Sequence, residues 1–229
     1  MKVALVCIHY HPLRTSCAIQ MGDLAKELLL QGHEPIVIVP SDTINNSWTS
    51  EKIDGVKVFR LAAFKTINIS FFRRLINETL LPITMLYGLR KSNFPVNELN
   101  AVIWYSPSIF FGPLISYLKK SSKCPAYLIL RDMFPEWALD VGVLKKTPIY
   151  YFFKLVAKYQ YSLADIIGVQ SSSNLKYLDK WKKKSNRKLE VLNNWLSVKE
   201  NIKSSILISD SHLSGRRIFI YIGNMGLAQ

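Results

Sequence analysis

Two carboxylates four positions apart, Asp132 and Glu136, stand in the segment RDMFPEW (131–137), with Arg131 beside them and Pro135 holding the turn. In a loop, such a carboxylate can take a proton from a hydroxyl or hold a sugar hydroxyl. The plainer alternative is an Arg–Asp pair that caps the next helix. A second segment, HYHPLRTSC (9–17), supplies His11, Arg14 and Ser16. A third, GNMG (223–226), supplies Gly223, Asn224 and Gly226. Its glycines let the backbone come close to a phosphate, and a helix starting at LAQ would turn free N–H groups toward it. Other chemistries lack their residues. There is no G-x-G-x-x-G, no G-x-x-x-x-G-K-[ST] and no G-x-S-x-G, so the dinucleotide fingerprint, the P-loop and the hydrolase elbow are absent. His9 and His11 are two apart with no H-E-x-x-H, which supports a metal site only weakly.

These segments need rigid elements to aim them. Val3–Ile8 is a continuous apolar run of strand length, as expected of a strand buried on both faces. Residues 18–31 carry helical spacing, and Gly32 is a helix stop. Ile36–Val39 follows between Pro35 and Pro40 as a second strand. Further strands are expected at Val56–Leu61, Ala101–Tyr105, Ala126–Leu130, Asp165–Val169 and Leu189–Leu192. Helices are expected at Ile109–Lys120, at 148–163 and from Ser171 to about Trp181. The alternation predicts an α/β fold: a Rossmann-like, mostly parallel sheet with helices on both faces. Open sheets of this kind place ligands at the carboxyl ends of their strands, where 9–17 and 131–137 lie. Residues 69–91 combine apolar side chains with Arg73, Arg74, Arg90 and Lys91; Pro82 is expected to split them into two helices. They suit either an interfacial amphipathic segment or a pair of helices packed on the sheet. The domain reading is 1–196, then a polar linker 197–215. A strand at Arg217–Ile222 and its glycine turn would open a second domain at 216–229.

The chain has 229 residues, 49% hydrophobic and 20% charged, which excludes disorder and collagen-like repeats. Its net charge of +14 draws it to anions. Residues 145–203 hold thirteen Lys and Arg against four acids. That run is either a solvated helix end or a surface for anionic headgroups or a diphosphate-carrying substrate. A nucleic-acid-binding protein is the competing class. It would need aromatics interleaved with the basic residues, and Trp181 is the one hint. Cys7, Cys17 and Cys124 form no C-x-x-C pair. With no signal peptide and no apolar run of spanning length, a reduced cytoplasmic setting is expected.

Six stretches together resemble the N-terminal half of a GT-B fold, retaining glycosyltransferase of family 4. More narrowly, they resemble bacterial O-antigen transferases of the WbuB type, often linked to L-fucosamine and related deoxysugars. The stretches are the opening strand with HYHP, LAKELLLQGHEPIVIVPS (24–41), LRDMFPEWALDVGVL (130–144), ADIIGVQSSSNLKYL (164–178), VLNNW (191–195) and YIGNMGLAQ (221–229). The resemblance implies a nucleotide-sugar donor held mainly by a C-terminal domain and a lipid-diphosphate-linked glycan acceptor held mainly by this one. It implies transfer with retention, no resident metal and no dedicated base, since the donor phosphate takes the acceptor proton. It places Gly223, Asn224 and Gly226 at the donor diphosphate, and His11, Arg14 and Ser16 toward the acceptor. Asp132 and Glu136 fall in the cleft, and Asn194 and Trp195 on the hinge side. It implies work at the inner leaflet of the cytoplasmic membrane and no nucleic-acid partner. A sugar-nucleotide epimerase is set aside because the glycine fingerprint is missing. Two departures stand out. Arg14, Thr15, Ser16 and Cys17 occupy the place of a common Gly-Gly pair. The family's diphosphate-binding basic residue and E-x7-E segment would lie beyond Gln229, so the chain is expected to be a natural truncation, an interrupted reading frame or a fragment, unable to transfer sugar alone.

Overall fold

The computed structural model describes residues 1–182, 187–197 and 212–221. The chain divides into two units, Met1–Leu196 and Ser197–Gln229. The first is built on an eight-stranded sheet ordered β3-β4-β2-β1-β5-β6-β7-β8. The strands are β1 Lys2–Val6, β2 Glu34–Ser41, β3 Trp48–Ile53, β4 Val56–Ala62, β5 Ala101–Tyr105, β6 Ala126–Leu130, β7 Ile166–Val169 and β8 Lys188–Val191. All neighbours are parallel except β3 and β4. The helices are α1 Ser16–Leu30, α2 Phe71–Lys91, α3 Gly112–Ser122, α4 Glu136–Asp140, α5 Pro148–Ser162 and α6 Asp179–Lys182.

The central strands alternate which face of the sheet they feed. Ala4, Val6, Ile36, Ile38, Phe59 and Leu61 pack under α2 and α3, while Val3, Leu5, Val37 and Val39 pack under α1. The α/β expectation holds, with helices on both faces.

Local chemistry sets the boundaries of α1. Thr15 Oγ1 accepts from the Ala18 amide at 3.2 Å, satisfying one orphan donor of the first turn. At the other end the Gly32 amide donates to Leu29 O and the His33 amide to Leu28 O, with Gly32 at φ +77°. That is the Schellman arrangement that glycine permits. Pro40 stands inside β2, yet β1 pairs with β2 only as far as Val6–Ile38. Past that point β2 has only β4 beside it, so the missing N–H removes no bond on the β1 side.

The structure corrects the sequence reading in four places. Residues 71–91 form one helix with Pro82 inside it, not two. An interior proline costs about 3 kcal/mol. Burying Leu81, Met85 and Leu89 returns about 1.5–3 kcal/mol each, so packing wins. Gly88 sets the approach of that helix: a Cβ there would sit 2.3 Å from the Ser47 carbonyl oxygen. Strand β3 was not expected. It joins β4 through Asp54 and Gly55, both at positive φ (48° and 85°), the Asp-Gly hairpin signal. Residues 172–178 form a 3-10 helix before α6, where one α-helix was expected; the Ser-Ser-Ser-Asn start competes with α-helical bonding. Finally, residues 217–221 carry no strand, because no partner ladder pairs with them among the described residues.

Candidate functional site

Reading outward from β1, the sheet runs to β2 on one side and to β5 on the other, so the strand order reverses between β1 and β5. Open α/β sheets bind ligands in the crevice outside the carboxyl ends at this point. Four loops meet that edge: those after β1, after β5, after β6 and after β8.

Ser106, directly after β5, is buried and ties two of them together. Its hydroxyl accepts from the backbone N–H of Arg131 at 3.0 Å and of Asp132 at 3.3 Å. The start of RDMFPEW is therefore fixed to β5 as well as to its own strand β6. Asp132 is exposed to solvent just past the carboxyl end of β6. The surrounding protein mass raises its pKa, and the Arg131 guanidinium offsets part of that. Glu136 opens α4 and faces α5, where Lys154 Nζ lies 3.7 Å from its carboxylate. Tyr161 OH, buried and without a hydrogen-bond partner among the described residues, feels both carboxylates; its pKa is raised first by burial and then by their charge.

On the other side, Gln20 of α1 joins three elements. Its Oε1 accepts from Tyr105 OH at 2.7 Å, and its Nε2 donates to Asn194 Oδ1 at 3.1 Å. Its backbone carbonyl accepts from Trp195 Nε1 at 3.2 Å. Burial pushes the Tyr105 hydroxyl up to about 12, so it donates at neutral pH. Trp195 in turn lies under the Arg131 guanidinium, 5.9 Å from ring to Cζ, a cation–π approach. Asn194 and Trp195 thus belong to the same cluster as the RDMFPEW loop.

The loop after β1 behaves differently. His11 packs on α1 so closely that a Cβ on Gly22 would fall 2.6 Å from its Nε2. Its carbonyl accepts from Arg60 Nη2, and Arg60 also pairs with Glu51. Arg14 and Ser16 are exposed beyond it. A cavity of about 100 Å³ opens nearby, lined by His9, Tyr10, Ser41, Asp42, Arg60 and Thr66 among others. Burial lowers the pKa of His9, which lines that cavity. Gly223, Asn224 and Gly226 lie outside the described residues, as do Lys183 and Lys184.

Sequence reasoning named Asp132, Glu136, Asn194 and Trp195 but missed Gln20, Tyr105 and Ser106; His9 it weighed only as a weak metal ligand. Tyr105 and Ser106 were findable as the end of a predicted strand; Gln20 carried no local signal. Trp181, the hint of nucleic-acid stacking, is otherwise engaged. Its Nε1 donates to Tyr161 O at 2.6 Å and Arg187 covers its ring at 4.9 Å. Among the described residues no three His, Cys, Asp or Glu side chains gather as a metal cluster, and no helix is long and apolar enough to cross a membrane.

No family model matches the chain. Over 107 residues, 44% of this chain, it is 32% identical to a curated protein named "Probable glycosyltransferase WbjE" from Pseudomonas aeruginosa. The matched stretch spans 26% of that relative's length. Among solved structures, a UDP-glucosyltransferase from Polygonum tinctorium aligns with a TM-score of 0.56 at 12% identity, over 90% of this chain and 54% of that one. The α,α-trehalose 6-phosphate synthase of Burkholderia multivorans aligns at 0.54 and 9% identity, over 85% and 48%. The catalytic domain of starch synthase IV from Arabidopsis thaliana aligns at 0.51 and 12%, over 83% and 51%. Each alignment takes in most of this chain and about half of its counterpart. Together with the eight-stranded, mostly parallel sheet, they give this chain the fold of a GT-B glycosyltransferase domain.

Proposed function

We propose that this chain is the acceptor-side domain of a retaining, nucleotide-sugar-dependent glycosyltransferase of the family 4 type, acting in bacterial O-antigen or related surface-polysaccharide assembly. The observation that carries the reading is the 32% identity to a probable glycosyltransferase. The GT-B fold and a polar cluster at the strand-order reversal support it.

In this reading the acceptor hydroxyl enters at the rim between Ser106, Asp132 and Trp195. Asp132 holds or relays the hydroxyl proton, and Glu136, paired with Lys154, shapes the turn. The donor diphosphate is met by the Gly223–Gly226 segment and a further domain. Rate enhancement comes from positioning and from neutralising the leaving diphosphate, with no resident metal. The acceptor is a glycan on a lipid diphosphate, presented at the inner leaflet. A helix connecting parallel strands starts at their carboxyl edge, so α2 and α5 begin on the rim of the site. Phe71, Phe72, Tyr151 and Phe152 in their first turns are exposed, with Arg73, Arg74, Lys145 and Lys146 close by. Apolar side chains among basic ones suit a lipid–water boundary.

The test is nucleotide release from a panel of UDP-, GDP- and dTDP-sugars with lipid-linked acceptors extracted from bacterial membranes. A frame extended by a donor domain is expected to release nucleotide only when acceptor is present, and to give a product of retained anomeric configuration by NMR. The 229-residue chain alone is expected to be inactive. Inversion, or acceptor-independent hydrolysis only, overturns the reading; transfer by the 229-residue chain overturns its being a half-enzyme.

A further inference from the structure

We propose that Arg131 is a phosphate-binding side chain of the crevice at the β1–β5 reversal, taking a phosphate or diphosphate group of a substrate.

Three observations converge on it. Arg131 follows β6 directly, and its backbone amide donates to the buried Ser106 hydroxyl, so its Cα is fixed at the ligand-binding edge. Its guanidinium lies over the Trp195 ring, and Trp195 is held by Gln20, so the side chain has a platform. The guanidinium lies beside the Tyr105 hydroxyl and feels the Asp132 carboxylate, yet Nη1 is buried with no hydrogen-bond acceptor and the guanidinium forms no ion pair among the described residues. Other arginines show the contrast. Arg60 pairs with Glu51 and Arg74 with Glu78, and Arg187 donates to two carbonyls.

A guanidinium cannot escape burial by losing its proton. A buried N–H without an acceptor therefore stays costly until an acceptor arrives. The acceptor that matches a planar fork of donors is a carboxylate or a phosphate, taken through two parallel bonds. Asp132 is adjacent and its carboxylate feels the Arg131 charge, but the two form no ion pair. That leaves the crevice, where the transferase reading brings diphosphates from two sources: the nucleotide of the donor and the lipid of the acceptor. The binding site itself stands without that reading; only the source rests on it.

The experiment is calorimetric titration of the 229-residue protein with inorganic pyrophosphate. Saturable binding is expected, weakened about tenfold or more in Arg131→Gln, as for loss of a charge-assisted hydrogen bond, and less so in Arg131→Lys. No saturable binding by the unaltered protein, or equal binding by Arg131→Gln, overturns the proposal. Should Arg131→Gln fail to fold, NMR of arginine Nε–H groups decides it. The resonance missing from Arg131→Lys must move on adding pyrophosphate; movement confined to other arginines overturns the proposal. Repeating the titration with UDP and with geranyl diphosphate separates the sources, since the one that loses affinity in Arg131→Gln is the occupant. Loss with neither overturns the proposal. Arg131-dependent pyrophosphate binding without any sugar transfer by the frame extended with a donor domain keeps the phosphate site and removes the transferase reading. Sugar transfer that Arg131→Gln leaves unchanged does the reverse.

Discussion

Asp132 holds its proton more tightly in the folded protein than in the unfolded chain, because crowding at the rim penalises its charge. Folding stability therefore declines as pH rises from the unfolded carboxylate value, about 3.9, through the raised folded value, and stays lower above it. An asparagine in its place would not ionise. Thermal melts of Asp132→Asn are thus expected to match the unaltered protein near about pH 3.5 and to exceed it at about pH 7. A gap at both pH values, or at neither, contradicts this. A carboxylate that lowers stability at neutral pH fits a site more readily than a scaffold, and in the extended enzyme the same substitution is expected to lower transfer by about a hundredfold. Asp132 was legible because a carboxylate beside an arginine at a strand end is conspicuous. Gln20 was not: it reads as one more polar residue on α1, and its role depends on Asn194, 174 positions away. The position of Arg131 was legible, but its buried, unpaired Nη1 emerges only from the three-dimensional packing around it.

At the scale of elements, continuous apolar strands and amphipathic helices announced themselves, and turn chemistry did not. The β3–β4 hairpin was missed because four of the six residues of WTSEKI are polar, as befits an edge strand, although Asp54-Gly55 marked the turn. Pro82 was read as a break because local cost was weighed without the burial that outweighs it. Gly88 offers a clean trial of the same contest. Propensity alone predicts that Gly88→Ala stabilises the helix by about 1 kcal/mol. The Ser47 carbonyl oxygen, 2.3 Å from the added Cβ, predicts destabilisation instead, by about 1–3 kcal/mol. The backbone at Ser47 is tied to β4 by the Ala62 amide, 3.0 Å from that same oxygen, so it cannot easily yield. Urea denaturation is expected to show a lower midpoint for Gly88→Ala; a higher one would mean that α2 shifts to make room.

At the scale of the whole molecule, the net charge of +14 and the exposed aromatic side chains at the first turns of α2 and α5 have a joint consequence. From Val141 to Ala164 the chain carries four lysines and no carboxylate. Co-sedimentation with vesicles is expected for anionic but not zwitterionic lipid, to weaken as salt shortens the reach of the charges, and to drop several-fold in Phe152→Glu. Equal binding to both vesicle types would assign the attachment to the apolar side chains alone, and binding to neither would overturn the lipid reading. The order of the sheet has a further consequence, for the way the chain comes together during synthesis. The first strand made is an interior one. On its one side β2 and β4 follow outward in chain order, with β3 closing that edge; on the other, β5, β6, β7 and β8 follow outward in turn. A nascent chain that has just completed Ala62 already holds half the sheet, but the other edge of β1 stays bare until Ala101–Tyr105 leaves the ribosome. That edge belongs to a strand whose side chains from Val3 to Val6 are all apolar, so the interval between residues 62 and 101 is the stretch of translation in which the half-made sheet is most open to pairing with a neighbour.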